Sequence, residues 1–172
     1  MFTVRQAQPK DAEVAVEVVR RSIMELCTAD HRGDADTIAK WLSNKTVQHF
    51  ISWMSNNDNF FVVAEASDRL LGVGLLHRSG EINLLYLAPN AQRQGMGKAI
   101  QLALEEKAQA WGLLELKLDS TALACPFYER LGYISAGAKR PRFGVLHSYP
   151  YTKMLQPNPL MQPTGRKRPA AD

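Results

Sequence analysis

The sequence predicts a mixed α/β (α+β) domain, with a mostly antiparallel central sheet and helices on both faces, from three observations. Strand-like and helix-like segments alternate along the chain, which argues against a bundle. Two runs rich in Val, Phe and Leu flank a short polar link in the pattern of a hairpin. Two further segments carry apolar residues at helical spacing. At 172 residues the chain is one ordinary domain's worth, long enough to bury a full core without staples.

Phe2 to Ala7 alternates like a half-buried strand, and Pro9 with Asp11 then supplies a break and a helix N-cap. The predicted helix starts near Ala12 and turns Val14, Val18, Val19, Ile23 and Leu26 inward, leaving Glu17, Arg20 and Arg21 toward water. Thr28 to Asp36 interrupts that pattern with Asp, His and Gly and is read as a loop suited to line a binding site. A second helical region lies between Thr37 and Ser55. Asn59 to Ala66 and Leu70 to His77 pair as an antiparallel hairpin across Ser67-Asp68-Arg69. Ser79-Gly80 turns the chain into a strand from Glu81 to Leu87, which Ala88-Pro89-Asn90 stops. A helix from Gly95 to Trp111 follows, striped by Ala99, Leu102, Ala103 and Ala110, and Gly112 sits where a C-terminal glycine cap belongs. Leu114 to Asp119 then completes a strand, helix, strand crossover. Phe127 to Leu131 is short-helical with Gly132 as its stop, and Tyr133 to Ala136 and Tyr151 to Leu155 are closing strands. The domain is expected to occupy residues 1–155. Gln156 to Asp172, rich in proline and polar residues without apolar periodicity, is expected to be a disordered tail.

The formal net charge is +4, and Arg166, Lys167 and Arg168 against Asp172 supply half of it. The body is therefore nearly balanced, which argues against a specific nucleic-acid partner; an accessory role with nucleic acid rests on the tail alone. Apolar stretches such as Leu70 to Leu76 fall far below the roughly 20 residues of a bilayer crossing, so a soluble protein with no membrane partner is expected. Cys27 and Cys125 lie in helix-like segments and no charged-then-apolar leader precedes Phe2, so a reduced, cytoplasmic setting is expected. His31, His49, His77 and His147 lack the close spacing of a zinc site, and no metal is implied. Trp41, Trp53 and Trp111 fall within or at the ends of helical segments and read as core residues.

The most informative stretch is Gln92-Arg93-Gln94-Gly95-Met96-Gly97-Lys98, which follows a strand and opens a helix. Its two glycines let the backbone approach a bulky anion, and the first helical turn offers unpaired N–H groups at a positive dipole end. A pyrophosphate is the expected guest. Lys98 is followed by Ala99 rather than Ser or Thr, against a nucleotide-hydrolysing P-loop, and no third glycine follows at the spacing of a dinucleotide fold. A second constellation follows in Thr121-Ala122-Leu123-Ala124-Cys125-Pro126-Phe127-Tyr128-Glu129-Arg130-Leu131-Gly132-Tyr133.

Taken in order, these two motifs resemble those of the GNAT superfamily of N-acetyltransferases, which use acetyl-coenzyme A. Gln92, Gly95 and Gly97 match the family's first signature. The second segment resembles its Asn-x-x-Ala-x-x-Phe-Tyr and Gly-Phe/Tyr pattern, with Thr121 where Asn is common. The resemblance spans Phe2 to Lys153 and implies the acyl-CoA N-acyltransferase fold, in which the strands on either side of the glycine motif splay and the pantetheine arm lies between them. It further implies carrier binding by main-chain donors of Arg93, Gln94, Gly95, Met96, Gly97 and Lys98 and by the strand edge at Leu85 and Leu87, with Gln92, Thr121 and Phe127 beside them.

Amide formation must remove a proton from an amine and tolerate or protonate a departing thiolate. Tyr128 is the expected general acid, because a phenol with a pKa of about 10 stays protonated at neutral pH and can donate to a thiolate. Packing beside Phe127 and Leu131 is its alternative role. Glu81 matches in position the glutamate that some family members use as a base, directly or through water; a solvated charge after the turn is the alternative. Cys125 has no neighbouring His to make a thiolate, so direct attack in a ternary complex is expected. Family geometry implies an acceptor site between Thr28 to Asp36 and Lys139 to Leu146. Asp30, Asp34 and Asp36 would greet a cationic amine there, while Lys139, Arg140 and Arg142 meet an acidic acceptor, meet the carrier's phosphates or are solvated. The expected function is acetyl transfer from acetyl-CoA to a primary amine of a small molecule, peptide or protein. A noncatalytic acyl-CoA sensor is the alternative, and the resemblance admits a homodimer.

Overall fold

A computed structural model describes residues 1–161. Strands β1 (Thr3–Gln6), β2 (Asn59–Ala66), β3 (Arg69–His77) and β4 (Ile82–Leu87) form an antiparallel sheet in that order. A second antiparallel sheet contains β5 (Glu115–Ser120), β6 (Ile134–Ser135) and β8 (His147–Met154) in the order β5-β8-β6, and β7 (Arg140–Pro141) also pairs with β8. Helices α1 (Ala12–Leu26), α2 (Thr28–His31), α3 (Ala35–Leu42) and α4 (Val47–Ser55) separate β1 from β2. Helix α5 (Met96–Ala110) links β4 to β5, and α6 (Cys125–Arg130) follows β5.

Period-two alternation buries both faces of the first sheet. On β2, Val62 and Ala64 join the α5-side core with Ile100 and Leu104, while Phe61 and Val63 join the other core with Val19, Ile23 and Phe50. This places helices on both faces, as the order of elements predicts. Four observations refine the expected boundaries. In α1 the buried stripe is Ala12, Ala15, Val16, Val18, Val19, Ser22 and Ile23, so Val14 falls out of phase and faces water at 45% exposure. Asp11 does not cap α1 with its side chain; its carboxylate accepts from the two terminal guanidinium nitrogens of Arg5 at 2.8 and 3.0 Å and from the Gln8 N–H at 2.8 Å. Part of the loop expected over Thr28 to Asp36 is the single turn of α2, and the helical region expected from Thr37 to Ser55 is two helices. Asp34 caps the first of these through the Thr37 N–H, and Thr46 caps the second through the His49 N–H. Pro159–Met161 is a short 3-10 turn, and the remainder of the expected tail, 162–172, lies outside the described residues.

The two sheets meet at one point. Glu81 and Lys117 form a parallel bridge, and the Lys117 N–H donates to the Gly80 carbonyl at 2.9 Å. Beyond that bridge, β4 and β5 have no backbone pairing among the described residues, so the strands diverge toward their C-terminal ends. A bulge assists: Leu75 pairs with Leu84 but Leu76 with Ile82, leaving Asn83 as the extra residue. Gly80 makes the junction possible, with φ +91° and an ideal Cβ only 2.6 Å from the Glu115 carbonyl oxygen. Gly80→Ala is expected to cost about 2–3 kcal/mol, from a strained φ and an unyielding backbone contact. A urea midpoint equal to that of the wild type would show that the junction tolerates a Cβ.

Candidate active site

The site starts where the first sheet runs out. After Ala88, a 3-10 turn at Pro89–Ala91 leads into Gln92, and Arg93 and Gly95 both adopt left-handed conformations, at φ 60° and 81°. This kinked entry exposes Gln92, Arg93, Gln94 and Gly95 and aims the first turn of α5 outward. No side chain caps that end, and the first intrahelical bond recorded there runs from the Ala99 N–H to the Gly95 carbonyl at 3.0 Å. The N–H groups of Met96, Gly97 and Lys98 therefore lack intrahelical partners and stand at the positive end of a 15-residue helix. Gly97 is buried against Phe127 and Leu87: a Cβ there would lie 3.3 Å from the Phe127 ring and 3.5 Å from Leu87 Cδ1. The donor row, the left-handed entry and the missing Cβ make a cradle fitted to a diphosphate.

Beside this cradle lies an open strand edge. The Ala88 N–H donates to the Leu71 carbonyl at 2.7 Å, so Ala88 turns its backbone groups toward β3. By alternation Tyr86 does the same, and the N–H and C=O of Leu85 and Leu87 face the other way, into the gap between β4 and β5. Among the described residues nothing pairs with them there. The sheets' divergence thus leaves donors and acceptors for an extended, amide-bearing arm.

Tyr128 belongs to the core against which Leu85, Leu87 and Phe127 pack. The Thr121 hydroxyl accepts the Ala124 N–H at 3.2 Å, ending the turn after β5, and Pro126 opens α6. The Thr121 oxygen is occupied as an acceptor in this way, while its hydrogen is free to donate. The Tyr128 ring packs edge-on to Phe127 and Tyr133 at centroid distances of 5.1 and 5.5 Å. Burial pushes the phenol's pKa well above its usual value, with the Tyr86 phenol and the Cys125 thiol adding in the same direction. No described residue takes a hydrogen bond from it. The arrangement holds a neutral, unclaimed O–H donor in an apolar wall.

On the far side of the β4 and β5 junction is a cavity of about 1340 Å³. Tyr86 and Asp119 line it from β4 and β5, with Glu81 just before β4 and Thr121 just after β5; Lys40, Trp41 and Lys45 line it from α3 and its following turn, and Arg140, Arg142 and Phe143 from the β7 region. None of residues 88–98 lines it, so the cradle and this cavity lie apart. Glu81 is exposed at the junction, at the cavity's edge. The sequence reading missed Lys45 and Tyr86. Strand alternation was the available signal for Tyr86, whereas Lys45 fell inside the single helical region expected from Thr37 to Ser55, where nothing marked it for burial.

The expected acceptor wall needs correction. Asp30, Asp34 and Asp36 do not line this cavity. Asp34 is consumed as the α3 cap, holding the Thr37 N–H and hydroxyl at 2.9 and 2.6 Å. Asp30 is buried and takes the Ala122 N–H at 2.7 Å, tying α2 to the turn before α6. Arg140 and Arg142 do line the cavity, yet both turn toward Asp119, at 3.2 and 3.6 Å. Trp41 and Trp53, expected as core, also face the cavity. Cys27 is buried, its thiol pushed up to about 12 by desolvation, and Cys125 points its Sγ at the Thr121 carbonyl at 3.2 Å. Among the described residues no three His, Cys, Asp or Glu side chains gather as a metal-binding group, and no described helix is long and apolar enough to cross a membrane.

Residues 25–155 match the family model described as "Acetyltransferase (GNAT) domain". Among solved structures, a GCN5-related N-acetyltransferase from Rhodopseudomonas palustris is similar at a TM-score of 0.79 and 24% identity, over 89% of this chain and 95% of that one. PaiA N-acetyltransferase from Thermoplasma acidophilum, in complex with coenzyme A, is similar at a TM-score of 0.74 and 22% identity, over 90% and 99%. The ribosomal-protein-S18-alanine N-acetyltransferase from Escherichia coli is similar at 0.64 and 18%, over 90% and 94%. At these identities the likeness concerns the fold. No curated protein matches the sequence.

Proposed function

The chain belongs to the GNAT acetyltransferase family, and from that premise we propose that it transfers an acetyl group from acetyl-CoA to a primary amine by direct attack in a ternary complex. The observation that carries this reading is the pairing of an uncapped α5 entrance with an unpaired β4 edge, with Tyr128 in the core against which Leu85 and Leu87 pack. The main-chain N–H groups of Met96, Gly97 and Lys98, with the turn through Arg93, Gln94 and Gly95, grip the diphosphate, and Gln92 flanks it. Leu85 and Leu87 bind the amides of the pantetheine arm, while Phe127 packs against Gly97 and Thr121 offers its hydroxyl hydrogen. Most of this binding comes from backbone donors and the helix end, so the side chains of Arg93 and Lys98 tune affinity.

A new C–N bond forms at the thioester carbonyl as the C–S bond breaks, and the chain's part is to manage two protons. A lysine-like amine has a pKa of about 10.4, so roughly one molecule in a thousand is a free nucleophile near pH 7. Glu81, at the cavity edge beside the sheet junction, takes the amine's proton, directly or through water. Tyr128 gives its proton to the departing thiolate.

Release of free thiol from acetyl-CoA across a panel of amines tests the reading. Amine-dependent release supports it; carrier binding with no turnover on any amine leaves a sensor. Glu81→Gln is expected to lower kcat by about ten- to a hundredfold and to flatten its rise with pH. A mutant profile superimposable on the wild type would return Glu81 to a solvated charge.

A further inference from the structure

We infer that the acceptor is a small amine that also carries a carboxylate, with the carboxylate held at Lys45 and the amine directed to Glu81. This rests on the acyl transfer proposed above and names its substrate class.

The Lys45 ammonium is the unusual feature of the cavity. Lys45 sits in the turn between α3 and α4 at 7% exposure, yet the residue is one of those lining the cavity wall. Its Nζ donates to the Asn44 Oδ1 at 2.6 Å and to the Trp41 carbonyl at 3.4 Å, both neutral acceptors. Among the described residues no carboxylate pairs with it. Buried charges are ordinarily paired, because desolvation of a lone ion is costly. Burial lowers the Lys45 pKa to about 8, a penalty that an incoming carboxylate relieves by supplying the missing partner.

The position is also built. The Arg20 guanidinium donates to the carbonyls of Leu42 and Lys45, each at 3.2 Å, fixing the turn that presents the ammonium. That second cation adds to the positive field rather than cancelling it. Across the cavity, Arg140 and Arg142 share the single carboxylate of Asp119, and Lys40 lies over the Phe143 ring at 5.7 Å from its centroid. Glu81, on the edge formed by the sheet junction, has no cationic side-chain partner among the described residues. A zwitterionic amine matches an unpaired ammonium and an unpaired carboxylate in one cavity, whereas a polycationic amine would set a second positive charge against Lys45.

The test uses pairs of amines that differ by one carboxylate: lysine against 1,5-diaminopentane, ornithine against 1,4-diaminobutane, and phenylalanine against 2-phenylethylamine. The wild type is expected to favour the carboxylate-bearing member of at least one pair by about tenfold or more in kcat/KM, as one charge-assisted contact supplies. Lys45→Met is expected to erase most of that preference by raising KM for the carboxylate-bearing amine, and Lys45→Arg to retain it. Equal or better turnover of the decarboxylated member in every pair overturns the inference, as does a preference that survives Lys45→Met. The wild-type comparison decides even if Lys45→Met fails to fold. Calorimetry with CoA separates the two levels: a bound carrier with no pair turned over defeats the acceptor assignment, whereas no carrier binding defeats the acyl-transfer reading beneath it.

Discussion

The Gly97→Glu substitution is expected to leave a folded protein that gives no measurable heat on titration with CoA or acetyl-CoA. A Cβ at this position would lie 3.3 Å from the Phe127 ring, so Phe127 must yield by a few tenths of an ångström before the rest of the side chain is placed. The added carboxylate then occupies the mouth of α5, where the diphosphate should sit, and repels it. The fold should survive, because an acidic residue in the first turn of a helix is favourable by about 0.3–1 kcal/mol and offsets part of the packing cost. Gly97→Ala supplies the graded control, with carrier affinity reduced by about tenfold for a relaxed contact of this size. Wild-type heat from the glutamate variant would place the carrier elsewhere.

Tyr128→Phe is expected to lower kcat by about a hundredfold while KM for acetyl-CoA changes by less than about twofold, the signature of an interaction made in the transition state. No described residue accepts a hydrogen bond from the phenol, so removing it should leave the unfolding midpoint in place. Ring packing against Phe127, Tyr133 and Tyr151 is retained. The pH dependence has a definite sign. Because burial raises the Tyr128 pKa, the phenol is protonated throughout a window of about pH 6 to 9, and the defect should be constant across it. Unaltered turnover at neutral pH would reduce Tyr128 to a packing residue.

Much of the architecture was legible because it is written in local periodicity. The β2 and β3 hairpin and the α5 helix with its glycine entry follow from patterns within 20 residues, and each lies within a residue or two of its expected bounds. The misplacement of Val14 shows the limit of that signal: with valines or alanines at 12, 14, 15, 16, 18 and 19, composition does not set the phase, and the sheet that α1 packs on does. Asp34 and Thr46 stood at positions where capping chemistry was readable, and reading them as caps would have divided the second helical region correctly.

The two halves of the candidate site differ in the same way. The proposed carrier cradle is nearly contiguous in sequence, so a glycine-punctuated helix entrance was visible there and the family resemblance could assign its residues. The cavity wall draws on residues near 40, 81, 119, 140 and 147, brought together by a sheet that splits at one bridge. No window of sequence contains that arrangement. Asp30, Asp34 and Asp36 looked like an acidic acceptor wall because acids in a loop advertise charge, but caps and backbone ties consume two of them. The burial of Lys45, which sets a cation without a carboxylate partner among the lining residues, depends on α3, α4 and Arg20 meeting at one turn.

Amide hydrogen exchange with and without saturating CoA tests most directly whether the α5 entrance and the open β4 edge hold the acyl carrier. Slowed exchange at Met96, Gly97 and Lys98 together with Leu85 and Leu87, leaving the turn around Lys45 unchanged, is the expected result. Protection confined to the Lys45 turn and the Lys139 to Leu146 segment, or absent from both regions, would contradict the account.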